Sequence, residues 1–219
     1  MSHVFADQTI ALVVFAVISF FTPGPNNVML LASGVNFGFR RTLPHIAGVS
    51  LGYPAMTALV ALGLGGVFKA VPWLHAAIEV AGVVYLLWLA AKIAFQPVDR
   101  GVDPGAGAAR AKPFGFFQAA AFQWVNVKGW VMVISAVSVY VPDGLGAIGG
   151  AALLFGVFLL TGIGSTTAWA GLGTVIARFL RDPLRLRLFN LTMGLLLVVS
   201  LWPAFGDIAG WITSRGATP

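Results

Sequence analysis

Pro23-Gly24-Pro25-Asn26-Asn27 concentrates more chemistry than any other run in the chain, and it interrupts an apolar stretch spanning residues 9–33. Each proline removes a backbone donor, so a helix crossing this run loses the partners of the Ser19 and Phe21 carbonyls. In lipid each orphaned group costs several kcal/mol, roughly, unless protein or trapped water satisfies it. Gly24 adds backbone freedom, while Asn26 and Asn27 add amides that donate and accept. Freed N–H groups past the break would attract a carboxylate, and freed carbonyls an ammonium. A zwitterionic amino acid carries both. The competing reading is a proline kink repaired by neighbouring helices.

A second interruption, Asn126-Val127-Lys128-Gly129, lies in another apolar stretch. A charge at the centre of a spanning helix costs roughly 2.5–3.5 kcal/mol, so Lys128 must be paired or face water. It is a candidate counter-charge for a substrate carboxylate, with Asn126 beside it. Pairing with carbonyls freed at the first break is the structural alternative. By helical rise, Asn26 and Lys128 lie ~26 and ~21 Å from the ends of their segments, so the two motifs can meet at mid-membrane. Glu79 is the one acidic residue placed within an apolar segment, a candidate proton carrier or an interfacial carboxylate. His45 and His75 read as interfacial residues, and His3 falls in the N-terminal tail. Gly164-Ser165 resembles a nucleophile on a membrane helix, but no base lies near it in sequence. The required constellation for an intramembrane enzyme is missing, and nothing calls for a metal or cofactor.

These motifs need a membrane scaffold, and composition supplies one. With 58% hydrophobic residues, 9% charged and a mean hydropathy of +0.91, the chain departs far from soluble composition. Six stretches reach spanning length, at roughly 9–33, 44–68, 72–95, 114–140, 146–173 and 184–206. The expected fold is an all-α polytopic membrane protein, one transport domain over 1–219. Residues 97–113 form a linker rich in Pro, Gly and charge, dividing a first three-helix repeat (1–96) from a second (114–219). Three spans per half forces opposite orientations, as in inverted-repeat transporters, with the first helix broken. The N-terminal run is expected to stay as a helix, because Asp7 precedes it and no basic residue comes before Arg40.

The net charge of +6 reflects topology, not a nucleic-acid partner. Ten basic residues, among them Arg40, Arg41, Lys92, Lys112 and Arg181, fall between segments 1 and 2, 3 and 4, and 5 and 6. Only Lys69 and Arg215 fall on the other side. The positive-inside rule then places both termini outside. Gly48/Gly52 and Ala152/Gly156 have the spacing of close helix packing, and Trp73, Tyr140, Trp202 and Trp211 fall where interfacial anchors belong.

Phe21-Thr22-Pro23-Gly24-Pro25-Asn26-Asn27, followed by Gly38-Phe39-Arg40-Arg41, Gly48 and Gly52, resembles the LysE/RhtB family of amino-acid exporters. The likeness extends through Gly82, Tyr85-Leu86, Phe122 and Val125-Asn126 to Lys128. It implies a multi-pass inner-membrane exporter of amino acids or derivatives, driven by the proton gradient. Most members carry Asn-Pro-Lys where this chain has Asn126-Val127-Lys128, and valine there is a feature of the branch resembling cysteine and O-acetylserine exporters. Losing that proline should leave the fourth segment less broken.

The reading is therefore a secondary exporter of a small neutral amino acid or derivative, with Pro23 to Asn27, Asn126 and Lys128 binding the substrate. The lipid bilayer is its other partner, and homo-oligomerisation is left open. The alternative is a non-transporting assembly or receptor-like membrane protein whose breaks are only structural. Because Asn27 contributes an amide and not helix geometry, Asn27→Ala is expected to impair transport more than folding.

Overall fold

The computed structural model describes residues 2–64, 72–98, 112–142 and 144–202, all of it helix, turn or coil. Helix α1 (Ser2–Phe21) runs through the first apolar stretch and stops where Pro23 and Pro25 withdraw their donors. Gly24 is fully extended (φ −172°, ψ −179°), and Pro25 then opens α2 (Pro25–Phe37) at the first helical position, where proline fits without loss. The two helices bend by 51° across the break. Gly38, at φ +79°, ends α2 in a conformation open to glycine and starts α3 (Phe39–Leu59), which continues into a π turn, Val60–Leu64.

Helix α4 (Pro72–Ala94) follows, then α5 (Phe116–Phe122), a 3-10 turn (Gln123–Val125) and α6 (Val127–Val139). Helices α7 (Gly146–Ile176) and α8 (Pro183–Val199) complete the fold, the latter capped by Asp182, whose carboxylate accepts from the Leu184 and Arg185 N–H groups. Helix α7 is the central post, with α1, α2 and α3 packed on it; α4 pairs with α8, and α3 with α5.

The described part of each expected apolar stretch is thus one helix, with or without a following turn, or one bent pair. Among the described residues, α3 with its π turn and α7 are long and apolar enough to cross a membrane. Counting each bent pair as one span makes four candidates. The fourth segment corrects an expectation. It bends by 70°, more than the first, although it lacks the proline. Asn126 leaves the helical region (φ −85°, ψ 101°) and separates α5 from α6 unaided by any ring.

Large apolar side chains cover much of the surface, and several polar side chains are buried within the apolar core. Phe117, Ile148 and Leu160 are 83%, 80% and 75% exposed, whereas Gln123, Asn190 and Ser165 are fully buried. That inversion suits a hydrocarbon solvent, which hydrates no polar group. The buried amides pair across helices: Asn36 and Asn190 exchange hydrogen bonds of 2.9 and 3.3 Å between α2 and α8.

Glycines set the closest helix contacts. A methyl at Gly48 or Gly52 would run into α5 at Phe116, Ala119 or Ala120, so that pair packs as expected. Gly156 does not: a methyl there would meet nothing within 4 Å. A close crossing instead joins Gly34 of α2 to Gly173 of α7, where added methyls would collide with the Ala170 and Leu31 carbonyls.

Candidate functional site

The two breaks lie against each other. Asn26 and Gln123 form a reciprocal amide pair, with Asn26 Nδ2 donating at 2.8 Å and Gln123 Nε2 returning at 3.2 Å. Lys128 reaches across from the start of α6, and its Nζ donates to the Thr22 carbonyl at 2.9 Å and the Pro23 carbonyl at 3.4 Å. Gly24 makes room for this. A methyl on its Cα would stand 2.8 Å from Lys128 Cδ and 3.0 Å from Nζ.

Asn27 does internal repair. Its Nδ2 donates to the Phe20 carbonyl at 2.8 Å and the Thr22 carbonyl at 2.9 Å. Ser165 of α7 adds a donor to Phe20, at 2.7 Å. The carbonyls engaged by side chains are therefore those of Phe20, Thr22 and Pro23, displaced from the Ser19 and Phe21 pair that proline positions alone suggest. The extended Gly24 explains the shift: it carries the next N–H groups out of helical register before Pro25 acts.

The second break is held by its neighbours. Gly82 of α4 lies so close to the Val125 carbonyl that any side chain would collide with it. The Tyr53 hydroxyl donates to the Gly129 carbonyl at 3.0 Å, and Gln123 Nε2 also donates to Ala119 at 2.7 Å. Neither new helix start carries a side-chain cap, at Gly24 for α2 or at Asn126 for α6. Both leave first-turn N–H groups free of a capping side chain. Asn126 Oδ1 is buried without a hydrogen-bond partner in the protein.

Between the breaks is a cavity of about 30 Å³, lined by Ser19, Asn26, Asn27, Tyr53, Asn126 and Lys128, among others. Among the described residues, no lining residue is acidic. That volume suits one water molecule and is far below the ~300 Å³ at which ligand pockets begin. This conformation is closed around Lys128, whose ammonium occupies the carbonyls of the break.

All seven expected binding residues, Pro23 to Asn27, Asn126 and Lys128, meet here. Gln123 and Tyr53 join them and were not singled out from sequence, and Ser165, weighed there only as a nucleophile, serves as a donor to the break. Gln123 had a visible signal, an amide three residues before Asn126 in an apolar run. Glu79 stands apart: its backbone belongs to α4, and its side chain lies outside the described residues. His75 and the 99–111 part of the linker also lie outside them. His45 overturns its interfacial assignment, being 1% exposed and packed on Phe114 at 5.3 Å between ring centroids.

Residues 17–200 match the family described as LysE type translocator. The chain belongs to the LysE family. It is 32% identical over 187 residues to the cysteine/O-acetylserine efflux protein of Escherichia coli (strain K12), covering 84% of this chain and 90% of that protein. Its similarity to the protein of the same name in Salmonella typhimurium (strain LT2) is 33% identity over 187 residues, with the same coverage. No solved structure matches. As a LysE family member the chain is a multi-pass membrane transporter and not an enzyme. That sets aside the non-transporting alternative.

Proposed function

We propose that this protein exports a small neutral amino acid or derivative across the inner membrane, by secondary active transport through the paired breaks. The observation that carries the reading is the buried, unpartnered Asn126 Oδ1 beside two uncapped helix starts; the contact of Lys128 with the Thr22 and Pro23 carbonyls is by itself the pairing expected of a structural role. Lys128 stands where a substrate ammonium would bind. An arriving amino group displaces it, taking those carbonyls and Asn126 Oδ1 as acceptors. The released Lys128 ammonium and the free N–H groups of α2 then hold the carboxylate. One charge exchanges for another, so neither the carbonyls nor the ammonium is stranded in a poorly hydrated site. The 51° and 70° bends are the hinges that open the cavity.

The scaffold is six spans arranged as two inverted three-helix repeats, with both termini outside and the basic loops in the cytoplasm. In this cysteine-free chain, Arg181→Cys should resist an impermeant thiol reagent in intact cells; ready labelling would reverse the orientation. Among the described residues no acidic group lines the cavity, which supports a neutral substrate, since a second ammonium would have no partner there. The efflux proteins that this chain resembles make O-acetyl-L-serine and cysteine the first compounds to try. Glu79 is assigned the coupled proton, as the acidic residue placed within an apolar segment.

Proteoliposomes with an imposed proton gradient test these assignments together. The wild type should move neutral amino acids, and Lys128→Met, which keeps the stem but not the charge, should lose about ten- to a hundredfold in apparent affinity, the equivalent of about 1.5–3 kcal/mol. Glu79→Gln should uncouple movement from the gradient. Transport restricted to lysine or arginine, or a well-folded Lys128→Met protein at wild-type affinity, would refute the site.

A further inference from the structure

A larger chamber, of about 350 Å³, opens beside the basic end of α2. Met29, Ser33 and Phe37 form its wall on α2, Lys92 comes from α4, and Lys112 and Phe114 from the chain leading into α5. His45 of α3 completes it. The volume falls at the small end of the range of ligand pockets, about 300–1,000 Å³. Among the described residues the lining carries two ammonium groups and no carboxylate.

His45 is the group that the fold does not explain. It is buried to 1% exposure, yet neither Nδ1 nor Nε2 has a hydrogen-bond partner in the protein. A buried imidazole without partners is costly, and a core built only for packing would hold an apolar ring there. Its neighbours do not account for it: Phe114 offers only a ring face, and Ser33 is already paired with Thr42 at 2.9 Å. Lys92 is held at the rim, with its Nζ 4.9 Å from the centre of the Trp88 ring.

The chamber is also built on the helix that carries the first break. Met29 and Ser33 follow Asn26 on the same helix by three and seven residues, ~4.5 and ~10.5 Å along its axis. The chamber and the paired breaks thus lie along the same helix.

We propose that this chamber is a second binding site, which receives the carboxylate of a small amino acid before it reaches Lys128. A ring N–H of His45 donates to the carboxylate, and Lys92 and Lys112 draw the anion in. The apolar wall of Met29, Leu89 and Ile93 accommodates a short side chain and gives a second ammonium no partner. The proposal rests on the export reading, since it makes the chamber the loading station of that path.

The test uses the full-length protein, with O-acetyl-L-serine as probe. Uptake into inside-out vesicles reads transport from the basic side, and equilibrium binding to detergent-purified protein reads the chamber without turnover. His45→Phe should raise KM about tenfold with little change in the maximal rate. It should also leave thermal stability equal or higher, because it removes an unpaired buried group. His45→Gln, which restores a donor, should recover much of the affinity, an outcome that a packing role would not give. Lys92→Gln with Lys112→Gln should weaken capture in the same direction.

Unchanged KM and binding in His45→Phe, with the wild type transporting normally, would overturn the chamber and leave the export reading standing. His45-dependent binding by a protein that moves none of a panel of amino acids would support the chamber and refute the reading. An anionic phospholipid that co-purifies with the wild type but not with His45→Phe, and that the probe fails to displace, would make this a lipid site and overturn the proposal.

Discussion

The two breaks reach similar geometry by opposite means. The first is written locally: Pro23 and Pro25 delete donors, Gly24 extends, and Asn27, four residues past Pro23, returns an amide to the carbonyls left behind. The second has no proline and bends further, 70° against 51°. Its extended residue, Asn126, is held by contacts from elsewhere: Gly82 on α4, Tyr53 on α3 and Asn26 through Gln123. A locally encoded break can form as soon as its helix does. A break held by packing forms only when the partner helices arrive, so it is the more sensitive to substitutions far away in sequence.

That difference predicts where damage should be greatest. Gly82→Val forces a branched side chain into the Val125 carbonyl, although residue 82 touches neither the cavity nor Lys128. Overpacking of this kind typically costs about 1–3 kcal/mol, and a contact against backbone belongs at the upper end. Thermal unfolding in detergent should show a clear drop, with transport falling in step. Wild-type stability in Gly82→Val would mean that α4 does not hold the second break.

At the first break the largest effect should come from Asn27→Ala. Sequence alone suggests a functional defect with little cost in folding, but the geometry changes that expectation. Asn27 is buried and serves two carbonyls, and each keeps one further donor, Ser165 for Phe20 and Lys128 for Thr22. Losing both hydrogen bonds should cost about 1–2 kcal/mol of stability, less than at Gly82 because neither carbonyl is stranded. It should also tie Lys128 more firmly to Thr22, so apparent substrate affinity falls as well. A stability loss with unaltered affinity would separate repair of the break from binding.

How much could be read from sequence follows the same division. Pro23 to Asn27 announces a broken helix because the cause lies within five residues. The all-helical membrane character is legible because lipid demands long apolar helices, up to four candidate spans among the described residues, and Gly48/Gly52 because both faces of that contact are small. The strength of the second break is not legible: Gly82 and Val125 are remote in sequence, and nothing local marks the approach. Gly34 and Gly173 escaped for the same reason. Ala152/Gly156 had the right spacing, but spacing does not say which face of α7 meets a helix. His45 was misplaced because four residues separate it from Arg41, which made the helix end look interfacial; only the packing of α2, α4 and Phe114 around it encloses the ring.

The smallest predicted effect sharpens the comparison most. If packing and not proline makes the second break, adding the proline there should be nearly silent. Val127 is the first helical residue of α6, where proline is favoured and a missing N–H breaks no helical bond. Asn126 already has φ −85° and ψ 101°, in the extended region that a following proline demands. The ring would not clash as in a helix interior, because the chain has left helical register one residue earlier. Val127→Pro should therefore keep the 70° bend and shift stability by no more than about 0.4–1 kcal/mol, towards greater stability through a stiffer unfolded chain. Part of that gain offsets the contacts Val127 makes with the core shared by α2, α4 and α8. Thermal unfolding and efflux of O-acetyl-L-serine both read it. A large loss of either would mean that the valine is itself part of what holds the second break, and that the division between local and packed breaks fails at this residue.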